Sequence, residues 1–250
     1  MSEMKMNSFG ITHCGKVRKN NQDSFLIEEF PDIKGVLAVL CDGMGGERGG
    51  NIASNLASKT FVSFIKDRIS GSKLRYVDVK DLLGKACEAA NSMVYSYSCF
   101  DKDYHGMGTT LVAAFVYRKK AYVINVGDSR AYAIKKDKIE QITSDHSYVQ
   151  ELLDSGEITE LEAQFHPQKN EITRALGYLG RVEYDIFTPA FRSFDKLLLC
   201  SDGLSNMVSE KEIFESFEIN PDPETFAEDL MNRAMDKGAK DNITIVVISK

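Results

Sequence analysis

The segment Val36-Leu-Ala-Val-Leu-Cys-Asp42-Gly43 is a continuous apolar run that ends in an aspartate and a glycine. A short run rich in valine and leucine indicates a buried strand, so Asp42 is expected at the end of one. The same change between apolar residues and a polar or glycine loop occurs at Asp23, Asp128, Asp202 and Asp241. Because a fold can bring strand ends from distant segments together, the five carboxylates are predicted to form a cluster.

Such a cluster needs counter-charges, because like charges repel each other and burial removes their hydration. Protons or cations can supply these charges, and divalent metal ions do so best. Oxygen ligands without thiolate or imidazole donors favour Mg²⁺ or Mn²⁺ over Zn²⁺. A water shared by two such ions loses a proton near neutral pH and can attack phosphorus in line. Taken singly, however, each aspartate is more often a turn or cap residue.

Two neighbouring features fit phosphate chemistry. Arg18 lies five residues before Asp23, and its planar guanidinium suits a phosphate dianion. The simpler interpretation of Arg18 alone is a surface arginine paired with a glutamate. The glycine-rich segment 43–50 lacks the Lys-Ser/Thr ending of a P-loop. Directly after Asp42, Gly43 can instead present its backbone carbonyl to a metal ion, where a side chain would crowd the approach.

Size and composition favour one globular domain spanning residues 1–250. The chain is 43% hydrophobic and carries a formal charge of −6 with scattered basic residues, so no nucleic-acid partner is predicted. No apolar run approaches the roughly 18–20 residues of a membrane helix, and the N-terminus lacks the apolar core of a signal peptide. A cytoplasmic protein without a membrane partner is predicted. Five dispersed cysteines argue against a disulfide framework and a zinc site.

The hydrophobic pattern predicts a layered α/β protein with sheets between helix pairs. The strands at 110–142 are joined by turns too short for a parallel crossover, so an antiparallel meander is predicted there. The polar segment 147–180 is predicted to form a surface flap with a capping box at Thr159-x-x-Glu162. Strands are expected at 7–13, 24–28, 35–41, 110–117, 121–126, 130–135, 138–142, 182–188, 195–200 and 242–249, and helices at 51–69, 78–100, 209–217 and 223–237.

A set of motifs spread over nearly the whole chain resembles the bacterial metal-dependent protein serine/threonine phosphatases of type 2C. The motifs occur in the order that this family shows. They are Gly15-Lys-Val-Arg18-Lys-Asn-Asn21-Gln-Asp23-Ser24, Cys41-Asp42-Gly43-Met44-Gly45-Gly46, Gly108-Thr109-Thr110, Val126-Gly127-Asp128-Ser129-Arg130, Thr143-Ser-Asp145-His146-Ser147, Ile172-Thr-Arg174-Ala-Leu-Gly177, Ser201-Asp202-Gly203 and Asp241-Asn242-Ile-Thr.

The resemblance implies a four-layer αββα sandwich, in which two mostly antiparallel sheets are flanked by helix pairs. It also implies a centre of two Mn²⁺ or Mg²⁺ ions between the sheets. By position in the motifs, Asp42 would bridge the ions and Gly43 would contribute its carbonyl. Asp202 and Asp241 would complete one ion's shell, and Asp23 would act through bound water.

Further roles follow from the same resemblance. Asp128, together with Asp202, would hold a third ion, and Arg18 would grip the substrate phosphate. Residues 147–180 would influence the choice of protein substrate. The expected substrates are phosphoproteins carrying phosphoserine or phosphothreonine, including targets of a serine/threonine kinase of the same cell.

Two positions depart from many eukaryotic members of the family. Gln22 stands where they have glutamate, and Met44 where they have a histidine proposed as general acid, so protonation of the leaving group is unassigned. His146 is interpreted as a structural hydrogen-bonding residue. Two other functions stay open at this point. One is a phosphatase for small phosphorylated metabolites, and the other is a regulatory binding module that has lost catalysis, against which intact Asp42, Asp202 and Asp241 argue.

Overall fold

The computed structural model describes residues 6–70, 78–100, 102–118 and 120–250, apart from the side chains of Glu47, Arg48, Lys102 and Arg192. The strands of this part of the chain are β1 (Asn7–His13), β2 (Asp23–Phe30), β3 (Gly35–Met44), β4 (Gly108–Thr109), β5 (Leu111–Tyr117), β6 (Lys120–Val126), β7 (Arg130–Lys135), β8 (Lys138–Gln141), β9 (Asp185–Phe187), β10 (Lys196–Cys200) and β11 (Ile243–Ser249). Its helices are α1 (Gly46–Ser70), α2 (Val79–Phe100), α3 (Tyr148–Asp154), α4 (Glu160–Phe165), α5 (Asp202–Ser205), α6 (Glu210–Ile219) and α7 (Pro223–Asp236).

The strands form two antiparallel sheets. The first has the order β2-β3-β5-β6-β9, with the short β4 paired to β3, and the second has the order β1-β11-β10-β7-β8. Helices α1 and α2 cover the outer face of the first sheet, and α6 and α7 cover the outer face of the second. The inner faces of the two sheets pack against each other. The result is the predicted four-layer arrangement.

Strand β3 shows how the sequence specifies these layers. Side chains alternate between the two faces of a strand. Leu37 and Val39 pack against the helix layer, whereas Val36, Ala38 and Leu40 pack against the other sheet. Both faces of β3 are therefore buried, which is why the run is apolar at every position rather than at alternate ones.

The predicted meander over residues 110–142 is wrong. β5 pairs with β6 in the first sheet and β7 pairs with β8 in the second, so the chain crosses between the sheets at residues 127–129. Gly127 adopts a left-handed backbone (φ 102°), and a Cβ there would lie 2.7 Å from Cγ2 of Thr110. The connection is too short for a parallel crossover within one sheet, but it can reach a facing sheet about 10 Å away.

Helix α1 begins at Gly46, although its predicted start was residue 51. Glycines disfavour helix on intrinsic propensity, yet close packing requires them here. A Cβ on Gly49 would lie 2.9 Å from Cβ of Met107, and one on Gly50 would lie 2.7 Å from Nε2 of Gln22. Tertiary contacts therefore override propensity in this turn. The strand predicted at 182–188 is shorter than expected, since only Asp185–Phe187 pair.

Segment 147–180 contains α3 and α4, as its partly helical prediction implied. The predicted capping box is confirmed, because Thr159 Oγ1 accepts from the Glu162 amide at 3.3 Å and Glu162 Oε2 accepts from the Thr159 amide at 2.8 Å. α4 ends at Phe165, directly before His166-Pro167. Among the described helices, none combines the length and the apolar character that a membrane span requires.

Candidate metal centre

Asp42 is placed between the two sheets by strand alternation. It follows positions 36, 38 and 40 of β3, whose side chains face the second sheet. Its backbone is fixed on the neighbouring chain, because its amide donates to Thr110 Oγ1 at 2.9 Å and its carbonyl accepts from the Thr110 amide and from Thr109 Oγ1, both at 2.8 Å. Burial and then the carboxylates of the other four aspartates raise the pKa of Asp42 well above its ordinary value.

Asp23 lies opposite Asp42 in the β2–β3 register and is only 7% exposed. Its Oδ2 accepts from Ser201 Oγ at 2.9 Å and from Thr244 Oγ1 at 2.6 Å, so it joins the first sheet to the second. Within the described residues its buried Oδ1 has no hydrogen-bond partner. Burial raises the pKa of Asp23 to about 6. A buried oxygen acceptor without a donor requires a proton, a cation or a water to satisfy it.

Asp128 lies on the crossing between β6 and β7, and His146 fixes that crossing. The Gly127 amide donates to His146 Nδ1 at 3.1 Å, and the His146 amide donates to the Gly127 carbonyl at 3.0 Å. Because Nδ1 accepts, Nε2 carries the proton and donates to Asp185 at 3.0 Å. His146 therefore has the structural hydrogen-bonding role predicted for it. Burial, with Asp145 adding repulsion, raises the pKa of Asp128 to about 6.

Asp202 and Asp241 enter the site from neighbouring strands of the second sheet. Asp202 opens α5 two residues after the end of β10, and its Oδ2 accepts from Asn206 Nδ2 at 3.0 Å. Burial, followed by repulsion from Asp128 and Asp241, raises the pKa of Asp202 to about 8. Asp241 lies two residues before β11, and its Oδ1 accepts from the Asn242 amide at 2.9 Å.

Arg18 pairs with a residue of the site itself. Its Nη2 donates to Asp241 Oδ2 at 2.7 Å, and the guanidinium is about half exposed. This hydrogen bond, the charge of Asp241 and the more distant charges of Asp202 and Asp42 raise the pKa of Arg18. Arg18 is therefore paired with an aspartate of the site and not, as the simpler interpretation had it, with a surface glutamate. The cation instead stands beside the carboxylate cluster, where it can also reach a bound anion.

Gly43 is required by close backbone packing. A Cβ on Gly43 would lie 2.0 Å from the Gly50 carbonyl oxygen and 2.7 Å from that of Gln22. The Gln22 side chain in turn donates to the Gly46 carbonyl at 2.6 Å, which ties the loop after β3 to the segment before β2. No side chain fits at position 43 unless the backbone moves, and this is the position whose carbonyl is predicted to bind a metal ion.

These residues surround one cleft of about 570 Å³. Four of the five aspartates line it, and Asp23 lies behind Asp42. Asn170 and Ile172 bring the segment after α4 to the cleft. Ile172 opens one of the motifs quoted above, whereas only its place within the predicted flap pointed to Asn170. The lining residues are Val17, Arg18, Lys19, Asn20, Gln22, Asp42, Gly43, Met44, Gly45, Gly46, Thr110, Asp128, Asn170, Ile172, Asp202, Asp241 and Asn242.

The donor set fits hard divalent cations. It offers carboxylate and carbonyl oxygens, and among the described residues no cysteine or histidine lines the cleft. The raised pKa values of Asp23, Asp42, Asp128 and Asp202 show that burial and mutual repulsion oppose ionisation of this group. Among the described residues, no group of three or more Asp, Glu, His or Cys side chains is already arranged to hold a metal ion. Asp241 turns instead towards Arg18, so its carboxylate would have to reorient to bind a cation.

Comparison with known proteins assigns the chain to a family. The family model for protein phosphatase 2C matches residues 12–244. The chain belongs to the protein phosphatase 2C family. It is 38% identical to the serine/threonine phosphatase stp of Listeria innocua over 96% of this chain and 94% of that protein. It also superposes on the serine/threonine phosphatase Stp1 of Staphylococcus aureus with a TM-score of 0.90 at 36% identity, covering 100% of this chain and 98% of the other.

Family membership confirms the predicted fold and the predicted enzyme class, a protein serine/threonine phosphatase of the metal-dependent type. One solved relative is the catalytic domain of the phosphatase PstP in complex with two manganese ions, with a TM-score of 0.84 at 33% identity over 98% of this chain and 97% of that one. The individual roles predicted for the aspartates, Gly43 and Arg18 stay predictions.

Proposed function

We propose that this phosphatase hydrolyses phosphoserine and phosphothreonine in proteins with two Mn²⁺ or Mg²⁺ ions held in the cleft. One observation carries the proposal. Carboxylates from five separate chain segments converge between the sheets beside an arginine, and one buried oxygen, Asp23 Oδ1, lacks a partner among the described residues. An apoprotein gains nothing from concentrating negative charge in this way, so the arrangement indicates cation binding.

The proposed metal ligands are assigned by their positions around the cleft. Asp42, the Gly43 carbonyl, Asp202 and Asp241 would hold the two ions, with Asp23 acting behind Asp42 through water. When bound, such ions bring the pKa of a water molecule near neutrality and screen the charge of phosphoryl oxygens. A third ion is proposed at Asp128 together with Asp202, because Asp128 stands on the same cleft and its repulsion raises the Asp202 pKa.

Arg18 is proposed to bind the substrate phosphate. Its guanidinium now shares an ion pair with Asp241. The hydrogen bond to Asp241 uses Nη2, and a guanidinium carries five N–H donors, so Arg18 can bind a phosphate dianion while it pairs with Asp241. A guanidinium also matches phosphate geometry with two parallel hydrogen bonds, which a lysine cannot reproduce.

No protein acid is proposed for the leaving oxygen. Met44 lines the cleft but has no acidic proton. Both ring nitrogens of His146 are engaged, by Gly127 and by Asp185, and the ring is buried away from the cleft. Solvent in the cleft is the remaining proton source, and the proposed third ion at Asp128 stands where it can act on that solvent.

The proposed substrates are phosphoproteins, including targets of a serine/threonine kinase, and the proposed setting is signalling in the cytoplasm. The names of the relatives support the substrate class. The test compares Mn²⁺-dependent phosphate release from a phosphothreonine peptide and from sugar phosphates, each repeated in excess EDTA. We expect turnover of the peptide and loss of this turnover in EDTA. Preference for sugar phosphates would identify a metabolite phosphatase, and absence of turnover on all of them would identify a silent binding module.

A further inference from the structure

Two large apolar side chains of α4 point into solvent. Leu161 is 67% exposed and Phe165 is 79% exposed, and their spacing of four residues puts them on one face of the helix. Together with Ile158, His166 and Pro167 they line an open groove of about 520 Å³. Exposure of a neighbouring leucine and phenylalanine contributes nothing to folding. A contiguous apolar patch of this kind marks an interaction surface.

The rim of this groove is acidic. From residue 151 to residue 165 the chain carries five Asp or Glu residues and no Lys or Arg, and the exposed Lys169, whose Nζ donates to the Gln164 carbonyl at 3.4 Å, offsets one of these charges. Glu162 lines the groove, and Glu157 and Glu160 are exposed near it. Rim charges of one sign attract a partner of the opposite sign and repel a like-charged one. The complementary occupant is an apolar side chain flanked by Lys or Arg.

The groove adjoins the cleft. Pro167 lines the groove, whereas Asn170 and Ile172 of the same segment line the cleft. Three residues span at most about 11 Å between Cα atoms, so the two sites are close. An extended peptide advances about 3.3 Å per residue. With side-chain reach at both ends, one peptide can fill the cleft and the groove with roughly three to six residues between the two positions.

We propose that the groove binds the segment of the phosphoprotein substrate next to the phosphorylated residue and selects an apolar side chain flanked by Lys or Arg. This inference rests on the proposed function for the identity of the cleft's ligand. A second copy of this chain would match the groove less well, because a net charge of −6 and the acidic rim make two copies repel.

The test is a double-mutant cycle between enzyme and peptide. The enzyme variant is Leu161→Ala with Phe165→Ala, and both side chains are exposed, so the fold should tolerate their loss. The peptides are phosphothreonine peptides with Lys-Phe-Lys placed three to six residues from the phosphothreonine on either side, and matched peptides with Lys-Ala-Lys. The matched control variant is Tyr178→Ala with Leu179→Ala, which removes side chains of similar exposure, 66% and 62%, outside the groove.

At the best spacing we expect the double variant to lower kcat/KM on the Lys-Phe-Lys peptide about tenfold relative to kcat/KM on an aryl phosphate. On the Lys-Ala-Lys peptide the two enzymes should agree, and the control variant should behave as wild type. Replacing the lysines with glutamate should remove the preference for phenylalanine at low salt.

Fluorescence anisotropy of the same peptides in EDTA measures binding without turnover, so it reports on the groove even if the proposed catalysis is wrong. A weaker affinity of the double variant for the Lys-Phe-Lys peptide supports the groove. Equal peptide affinities of wild type and variant would overturn the proposal. So would a wild-type dimer in sedimentation velocity that Leu161→Ala with Phe165→Ala converts to monomer, since the groove would then be filled by a second copy.

Discussion

Replacing Asp23 with asparagine should stabilise the metal-free protein above pH 6. Burial raises the pKa of Asp23 from 3.8 to about 6. A carboxyl group whose pKa is higher in the folded protein destabilises the fold when it ionises, so its stabilising contribution is present below pH 3.8 and is lost as the pH rises through 6. The shift of about two pKa units lowers the free energy of unfolding by about 3 kcal/mol at pH 8 and by about half of that at pH 5. Asparagine keeps an oxygen acceptor for Ser201 and Thr244, and its amide can donate to the neighbouring Asp42.

Thermal unfolding in EDTA at pH 8 and pH 5 measures this effect. For a chain of 250 residues, a gain of about 3 kcal/mol at pH 8 raises Tm by roughly 6–12 °C. The matched control is Asp137→Asn, whose side chain is exposed, and it should shift Tm little at either pH. Added Mn²⁺ should raise the Tm of wild type more than that of Asp23→Asn. A Tm of Asp23→Asn at or below that of wild type in EDTA at pH 8 would show that the ionised Asp23 carboxylate does not destabilise the metal-free fold.

Three further outcomes are expected. Arg18→Ala should lower kcat/KM on a phosphopeptide about tenfold, chiefly through KM. Calorimetry should show the core ions still bound by Asp241 and its neighbours. An unchanged kcat/KM would mean that Arg18 only forms the ion pair with Asp241. Gly43→Ala should unfold the loop after β3, because its Cβ would lie 2.0 Å from the Gly50 carbonyl, and a wild-type Tm would contradict this. Asp128→Ala should leave two ions bound and slow turnover of a phosphopeptide more than of an aryl phosphate, whose phenolate needs no proton; equal losses would place the acid elsewhere.

The carboxylate cluster could be predicted from sequence because the apolar runs ending at Asp42 and Asp202 specify buried strands. Alternation along β3 then fixes the face on which Asp42 lies. The partners of Asp23 could not be predicted in this way. Ser201 and Thr244 follow from the packing of one sheet on the other, and hydroxyl residues near strand ends are common. The pairing of Arg18 with Asp241 was missed for the same reason, since 223 positions separate the two residues.

The crossing at residues 127–129 shows a different limit. Hydrophobic alternation indicates that β6 and β7 are strands, but the same pattern suits a hairpin within one sheet and a step to a facing sheet. The distinguishing contact is made by His146, 19 residues after Gly127, which accepts from the Gly127 amide. A local pattern carries no information about such a contact, yet this contact fixes the position of Asp128.

The carboxylate cluster is expected to work only when it holds cations. Isothermal calorimetry with Mn²⁺, combined with phosphate release from a phosphothreonine peptide, tests it on wild type and on the isosteric Asp42→Asn. We expect at least two ions bound per wild-type chain, turnover that EDTA abolishes, and loss of both ion binding and turnover in Asp42→Asn, with its circular dichroism unchanged. Wild-type turnover in excess EDTA after removal of bound metal, or full turnover by Asp42→Asn, would show that catalysis does not depend on cations held by Asp42.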